Sequence, residues 1–157
     1  MLSLRLEPLT PEKIARAYAL VQLVAADVSL AAWRKFAGQR ISGMSPSLSG
    51  IHTVQDRRGN ILGLASYAAA DDLNDVRTLT VDHLVVIGTT ERQGDAVLSA
   101  LLSAMETIAI SCGCGAIQFK LAASGSATLD QHARWLLETA GHSERYVLLA
   151  KALEAQG

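Results

Sequence analysis

Apolar and polar positions alternate from the first residues: Leu2, Leu4 and Leu6 are separated by Ser3, Arg5 and Glu7. Strict alternation is the pattern of a half-buried strand, and Pro8 and Pro11 are expected to end it. Thr10 then stands where a helix N-cap belongs, with Pro11 at the first helical position and Glu12 and Lys13 behind it. The pattern turns helical there, with Ile14, Ala17, Tyr18, Val21 and Val24 on one face of a helix predicted over 11–25. A second helix is predicted near 30–39, carrying Trp33 and Phe36 and stopping near Gly38. Residues 41–50, rich in Ser, Gly and Pro, read as a loop.

Two β-like runs follow, 51–55 and 61–70, joined by the turn residues Asp56, Arg57, Arg58, Gly59 and Asn60. After a polar break at 71–75, the run 76–87 is the strongest strand, dense in Leu79, Val81, Leu84, Val85, Val86 and Ile87. Residues 88–94 form a polar, Gly-containing loop. A long helix leaves it, with Val97, Leu98, Leu101, Leu102, Met105 and Ile108 at helical spacing. Gly113 and Gly115 end that helix, and 116–122 is another strand. Helix 129–140 closes at Gly141, and 146–153 is expected as a last strand. A hairpin followed by strand–helix–strand crossovers implies a mixed α/β sheet with helices on its faces. With no repeat, linker or low-complexity segment, residues 1–157 read as a single domain.

Composition narrows the function. The chain has 157 residues, 50% hydrophobic and 18% charged, with a formal net charge of −1. That is enough apolar material for a real core and too much for disorder. The balanced charge and an aromatic content of 4% argue against nucleic acid as a partner, which calls for a basic surface or stacking rings. Charged residues interrupt the N-terminal run, so no signal-peptide core is expected. The richest apolar stretches, 18–33 and 96–110, contain Gln22 and Asp27, and Glu106. Neither offers ~20 uninterrupted apolar residues, so no membrane partner is expected and a cytoplasmic location follows by default. Cys112 and Cys114 lie too close for an unstrained disulfide and lack companions for a metal site; they read as small apolar residues at a helix end.

The element order, with the stretches LVVIGTTERQGDA, LLSAMETIAISCGCGAIQFKL and DQHARWLLETAGHSERYVLL, resembles the GNAT superfamily of acyl-CoA-dependent N-acyltransferases. The resemblance covers nearly the whole chain. It implies a mixed, mostly antiparallel central sheet with helices on both faces, split between its fourth and fifth strands near Val86. Acetyl-CoA is the implied co-substrate. The family holds the pyrophosphate on a Gln/Arg-x-x-Gly-x-Gly/Ala loop that opens the crossover helix, where unpaired N–H groups and a partial positive charge favour an anion. Two registers of that motif are open: Glu91-x-x-Gly94-x-Ala96, and Gln93-x-x-Ala96-x-Leu98. Both place cofactor contacts at Arg92, Gln93, Gly94, Asp95, Ala96 and Val97, with Val86 beside the pantetheine arm. Asp95 departs from the family by setting a carboxylate near phosphate; a bland alternative is that Gly94 permits a turn and Asp95 caps the helix.

In the last helix the resemblance matches Asp130, Ala133, Leu137, Gly141 and His142 to the family positions, and Asp130 is carried over as a cofactor contact. The family's Tyr, a proton donor to the departing thiolate, is replaced by Leu137, which has no proton to give. His132 and Tyr146 are the residues that could replace it. The implied base that frees the amine lies on the fourth strand, at Asp82 or His83. On a regular strand these neighbours point to opposite faces, with Asp82 on the side of Leu84 and Val86. Arg57 and Arg58 read as an anion contact or as a solvated turn. The resemblance implies acetyl transfer to a small-molecule or peptide amine by a chain that could form a homodimer. Asp95 and Leu137 point the other way, to a catalytically inactive binding or oligomerisation module.

Overall fold

The protein is described from a computed structural model covering residues 3–42, 48–87, 91–121, 128–144 and 149–153. It divides into two compact units, Met1–Ser124 and Gly125–Gly157. The first is built on a five-stranded sheet whose spatial order follows the chain: β1 (Arg5–Pro8), β2 (Ser49–Gln55), β3 (Ile61–Asp71), β4 (Arg77–Val86) and β5 (Ala116–Phe119). Neighbours are antiparallel except β4 and β5, which run parallel. β1 starts later than its alternation suggested and includes Pro8. This is tolerated because β1 is an edge strand: Leu9 N–H resumes the ladder to the Ile51 carbonyl at 2.8 Å, so the missing Pro8 donor faces outward.

α1 (Ile14–Val24) follows a short 3-10 turn, Pro11–Lys13, and Thr10 makes no side-chain cap bond. α2 (Leu30–Ile41) is capped by Ser29, whose hydroxyl accepts the Ala32 N–H at 3.1 Å. It continues past Gly38, where a helical glycine costs about 1 kcal/mol, because Trp33 and Ala37 anchor it in the core. These helices cover one face, packing Ala17, Leu20, Val21, Trp33 and Ala37 on Ile51, Leu64 and Val85. Val24, expected on the apolar stripe, is exposed at the end of α1. α3 (Glu91–Ser111) covers the opposite face, setting Val97, Leu101, Met105 and Ala109 against Val54, Ala65, Leu79 and Val81. By length and composition alone α3 could cross a bilayer, yet its apolar stripe lies on the sheet, as in a crossover helix.

Both hairpin turns are wound on an aspartate. Asp56 Oδ1 accepts the N–H groups of Arg58 and Asn60 at 2.8 and 3.0 Å, and Asp72 Oδ1 those of Asn74 and Val76 at 2.8 and 3.0 Å. The solvated-turn reading of Arg57 and Arg58, both exposed, therefore has a complete structural account. Cys112 and Cys114 lie in the turn after α3 as thiols and not as a disulfide. Burial and the neighbouring Cys112 push the Cys114 thiol above its ordinary value, which disfavours the reactive thiolate.

The second unit contains α4 (Thr128–Thr139). It ends as expected at Gly141, in the left-handed region with φ 97°, while His142 N–H donates to the Leu137 carbonyl at 2.9 Å. Residues 149–153 are exposed and irregular, so the strand expected over 146–153 does not form there; 146–148 lie outside the described residues.

His52 on β2 sits on the α3 side of the sheet, its ring 5.8 Å from that of Tyr67. Its Nδ1 is buried and has no partner among the described residues. Burial holds the imidazole below its ordinary value of 6.5, so the unfolded chain binds this proton first. Stability is therefore expected to fall as pH drops below about 6.5. Urea midpoints at about pH 7 and pH 5 test this; His52→Gln should flatten the difference.

Candidate functional site

β4 changes company along its length. Its ladder to β5 runs from Thr78, opposite Ala116, to Val81, opposite Phe119. Lys120 N–H extends it with a 2.9 Å bond to the Val81 carbonyl. From Asp82 to Val86, β4 keeps β3 on one side and has no strand partner on the other among the described residues. Within the described residues the β4–β5 ladder thus ends before Val86, where the split was expected, and 122–127, which would continue β5, lie outside them.

α3 begins at Glu91, so Arg92, Gln93 and Gly94 belong to its first turns and not to a loop. The first N–H groups of a helix have no intrahelical partner, and here they lie at the chain's exit from the split strand. Arg92 is exposed, while Gln93, Gly94, Asp95 and Ala96 are half-buried. Val97 and Leu98 are fully buried. Of the two motif registers, Glu91-x-x-Gly94-x-Ala96 puts its small residues in the partly open turns. The other ends on Leu98, whose side chain is closed to any ligand. Asp95 is the fifth helical residue, so it is no N-cap. Val97 turns its side chain into the sheet against Gly63, where a Cβ would lie 2.7 Å from Val97 Cγ1. Val97, expected as a cofactor contact, is therefore a core residue: its side chain is buried and, seven residues into the helix, its N–H is bonded within α3.

Asp82 and His83 do not point to opposite faces. The β3–β4 register pairs Tyr67 with Val81 and Ser66 with His83, so Asp82 is the extra residue of a β-bulge. Before the bulge, Leu79 and Val81 face α3. After it, Leu84 and Val86 do so, and Val85 faces α1 and α2. Asp82 and His83 both end on the α2 side, and Asp82 does not share the face of Leu84 and Val86. Asp82 Oδ2 accepts Arg40 Nη2 at 2.6 Å, and the His83 ring meets Phe36 edge-on at 5.2 Å. His83 Nε2 is 3.9 Å from the same Asp82 oxygen, and its side chain is 58% exposed against 17% for Asp82. The sheet thus presents an accessible imidazole beside a mostly buried carboxylate.

Three residues here were missed by sequence reasoning. Arg40 and Phe36 lie one turn apart on α2, and the guanidinium carbon sits 5.1 Å over the Phe36 ring. Ser66, fully buried, stands opposite His83 on β3. Only the four-residue spacing of Phe36 and Arg40 hinted at a shared face. In the second unit Leu137 is buried, and its hydrocarbon side chain supplies no acid. The side chains of Asp130 and His132, and all of Tyr146, lie outside the described residues.

No family model matches the chain, and no curated protein does. Solved structures do. A Trypanosoma brucei acetyltransferase superposes with TM-score 0.73 at 16% identity, covering 96% of this chain and 100% of that one. The aminoglycoside N-acetyltransferase AAC(6')-Iy, solved with CoA, gives 0.74 at 11% identity over 98% of this chain and 97% of that one. A transcriptional regulator from Bacillus halodurans C-125 gives 0.80 at 12% identity, covering 96% of this chain and 100% of that one.

Proposed function

This chain has the GNAT acetyltransferase fold, and from that premise we propose that it transfers an acyl group from acyl-CoA to a primary amine. The observation that carries the reading is the stretch of β4 from Asp82 to Val86, whose edge away from β3 has no strand partner among the described residues, with Asp82 and His83 at its bulge. The free edge around Val86 would pair with the amide-bearing arm of CoA. The opening turn of α3, with Arg92, Gln93 and Gly94, would take the pyrophosphate through backbone N–H groups, and the small side chain of Ala96 leaves room beside it. Asp95 tempers that attraction from the second turn, and Arg92 offsets it.

An amine must shed a proton before it attacks a thioester. His83 is the accessible base, and imidazole is the side chain best matched to that task near neutral pH. The amine nitrogen bonds to the acyl carbon, the C–S bond breaks, and the sulfur leaves as thiolate. The nitrogen gives up two protons in all, one to His83 before attack and one as the amide forms; one of them neutralises the thiolate and the other passes to solvent, so the exchange balances without an acid at Leu137. Asp82 stays on Arg40 and offers negative charge to the imidazolium.

Calorimetric titration with acetyl-CoA and with free CoA is the first test. Micromolar binding, ~8 kcal/mol, is expected. His83→Gln should then lower kcat about 100-fold or more while leaving CoA affinity unchanged. Absence of binding at millimolar ligand would overturn the reading in favour of a catalytically inactive binding module, which Leu137 and Asp95 favour and which a neighbour named as a transcriptional regulator accommodates.

A further inference from the structure

The acceptor half of the site carries two opposite charges held in place. Arg40 Nη2 and Asp82 Oδ2 are 2.6 Å apart, with side chains only 20% and 17% exposed. Neither group is saturated. A carboxylate accepts about four hydrogen bonds and a guanidinium donates five. Among the described residues Arg40 directs one N–H, to Asp82, and Asp82 Oδ1 is buried without a partner. The Ser66 hydroxyl, on the same face of the sheet, is likewise buried without one. Phe36 lies under the guanidinium and limits its swing away from the carboxylate.

We propose that the acceptor is a zwitterionic amine, its ammonium group seated on Asp82 and an adjoining carboxylate seated on Arg40. The inference rests on the acyltransferase reading above and narrows its substrate class. A polycation can use Asp82 only by setting its remaining charges against Arg40, 2.6 Å away. A simple neutral-tailed amine leaves the spare donors of Arg40 unused. A molecule bearing both signs turns one ion pair into four alternating charges, each facing its opposite, in a place where water screens little. The planar fork of Arg40 suits a carboxylate better than a point charge would. Once seated, the ammonium lies beside His83, which removes its proton before attack.

The test is calorimetric binding of the twenty common amino acids, of the methyl ester of each one that binds, and of spermidine as the polycation. At least one free amino acid should bind about 10-fold or more tightly than its ester. Arg40→Gln should bring the two within about 2-fold of each other while leaving acetyl-CoA affinity unchanged. Arg40→Lys, which keeps the charge and spares the fold, should retain part of the preference. Esters binding as well as free acids, spermidine binding more tightly than any amino acid, or no binding by any of the twenty would each overturn the inference. Loss of acetyl-CoA binding with the amino-acid preference intact would instead sink the acyltransferase reading alone.

Discussion

Alanine in place of Asp82 is expected to lower the unfolding free energy by about 3 kcal/mol, far more than a surface ion pair is worth. The carboxylate is the counter-ion of an Arg40 side chain that is only 20% exposed. Deleting it strands a guanidinium over Phe36 at the end of α2, where water reaches it poorly. The value is set at the lower end for buried pairs because about a fifth of each side chain still sees solvent. Asp82→Ala/Arg40→Leu should recover most of the loss, since a buried pair can be replaced by apolar groups at little cost. Activity should not recover with it, because the acceptor's anchor is gone. Urea unfolding of the two single variants and the double variant forms a complete cycle. Additive effects would show that the pair is not coupled, and the account of Asp82 would fail with it.

Alanine at Gly63 is expected to disturb the other half of the molecule. The new Cβ would lie 2.7 Å from Val97 Cγ1, 3.1 Å from Leu101 Cδ1 and 3.1 Å from the Val85 carbonyl oxygen. Val97 cannot readily turn aside, because a β-branched residue in a helix has essentially one favourable rotamer. The carbonyl belongs to β4 and is fixed by its ladder. Relief must come from α3 lifting at its N-terminal end, at a cost of about 1–3 kcal/mol. That end is the one assigned to the pyrophosphate, so acetyl-CoA affinity should fall about 10-fold alongside stability. Gly63→Ala/Val97→Ala removes the 2.7 Å clash while leaving the two contacts at 3.1 Å, and should return part of both. A Gly63→Ala protein with unchanged CoA affinity would separate the seat of α3 from nucleotide binding.

Much of the architecture was legible because it follows from spacing. The hairpin 51–70, the strand around Val81–Val86, the crossover helix and the Gly141 stop all stand where their patterns put them. The start of α3 was not legible: residues 91–94 are polar and include a glycine, and a helix's first turn can be both, since its side chains need not reach the core. The pairing of Asp82 with Arg40 was invisible for a different reason. It spans 42 positions, and no local rule connects a helix end to a strand so distant. The side on which Asp82 and His83 project depends on one extra residue in the β3–β4 register. Its trace in β4 is the polar pair Asp82–His83, set between apolar residues at odd positions, Leu79 and Val81, and at even ones, Leu84 and Val86; a single-phase reading of the strand puts the two on opposite faces.

The bulge gives β4 two phases. Up to Val81 the odd-numbered residues face α3, and from Leu84 the even-numbered ones do. A chain lacking only Asp82 would run in a single phase: Leu79, Val81, Leu84 and Val86 would all keep the α3 side, and Tyr67 and Ser66 would face Val81 and His83 in unbroken register. The ladder and both apolar faces therefore do not require the extra residue. What its deletion would take away is the carboxylate beside Arg40. A charged group can thus be gained or lost on this strand by a change of length, while the side chains packed against α3, α1 and α2 stay where they are.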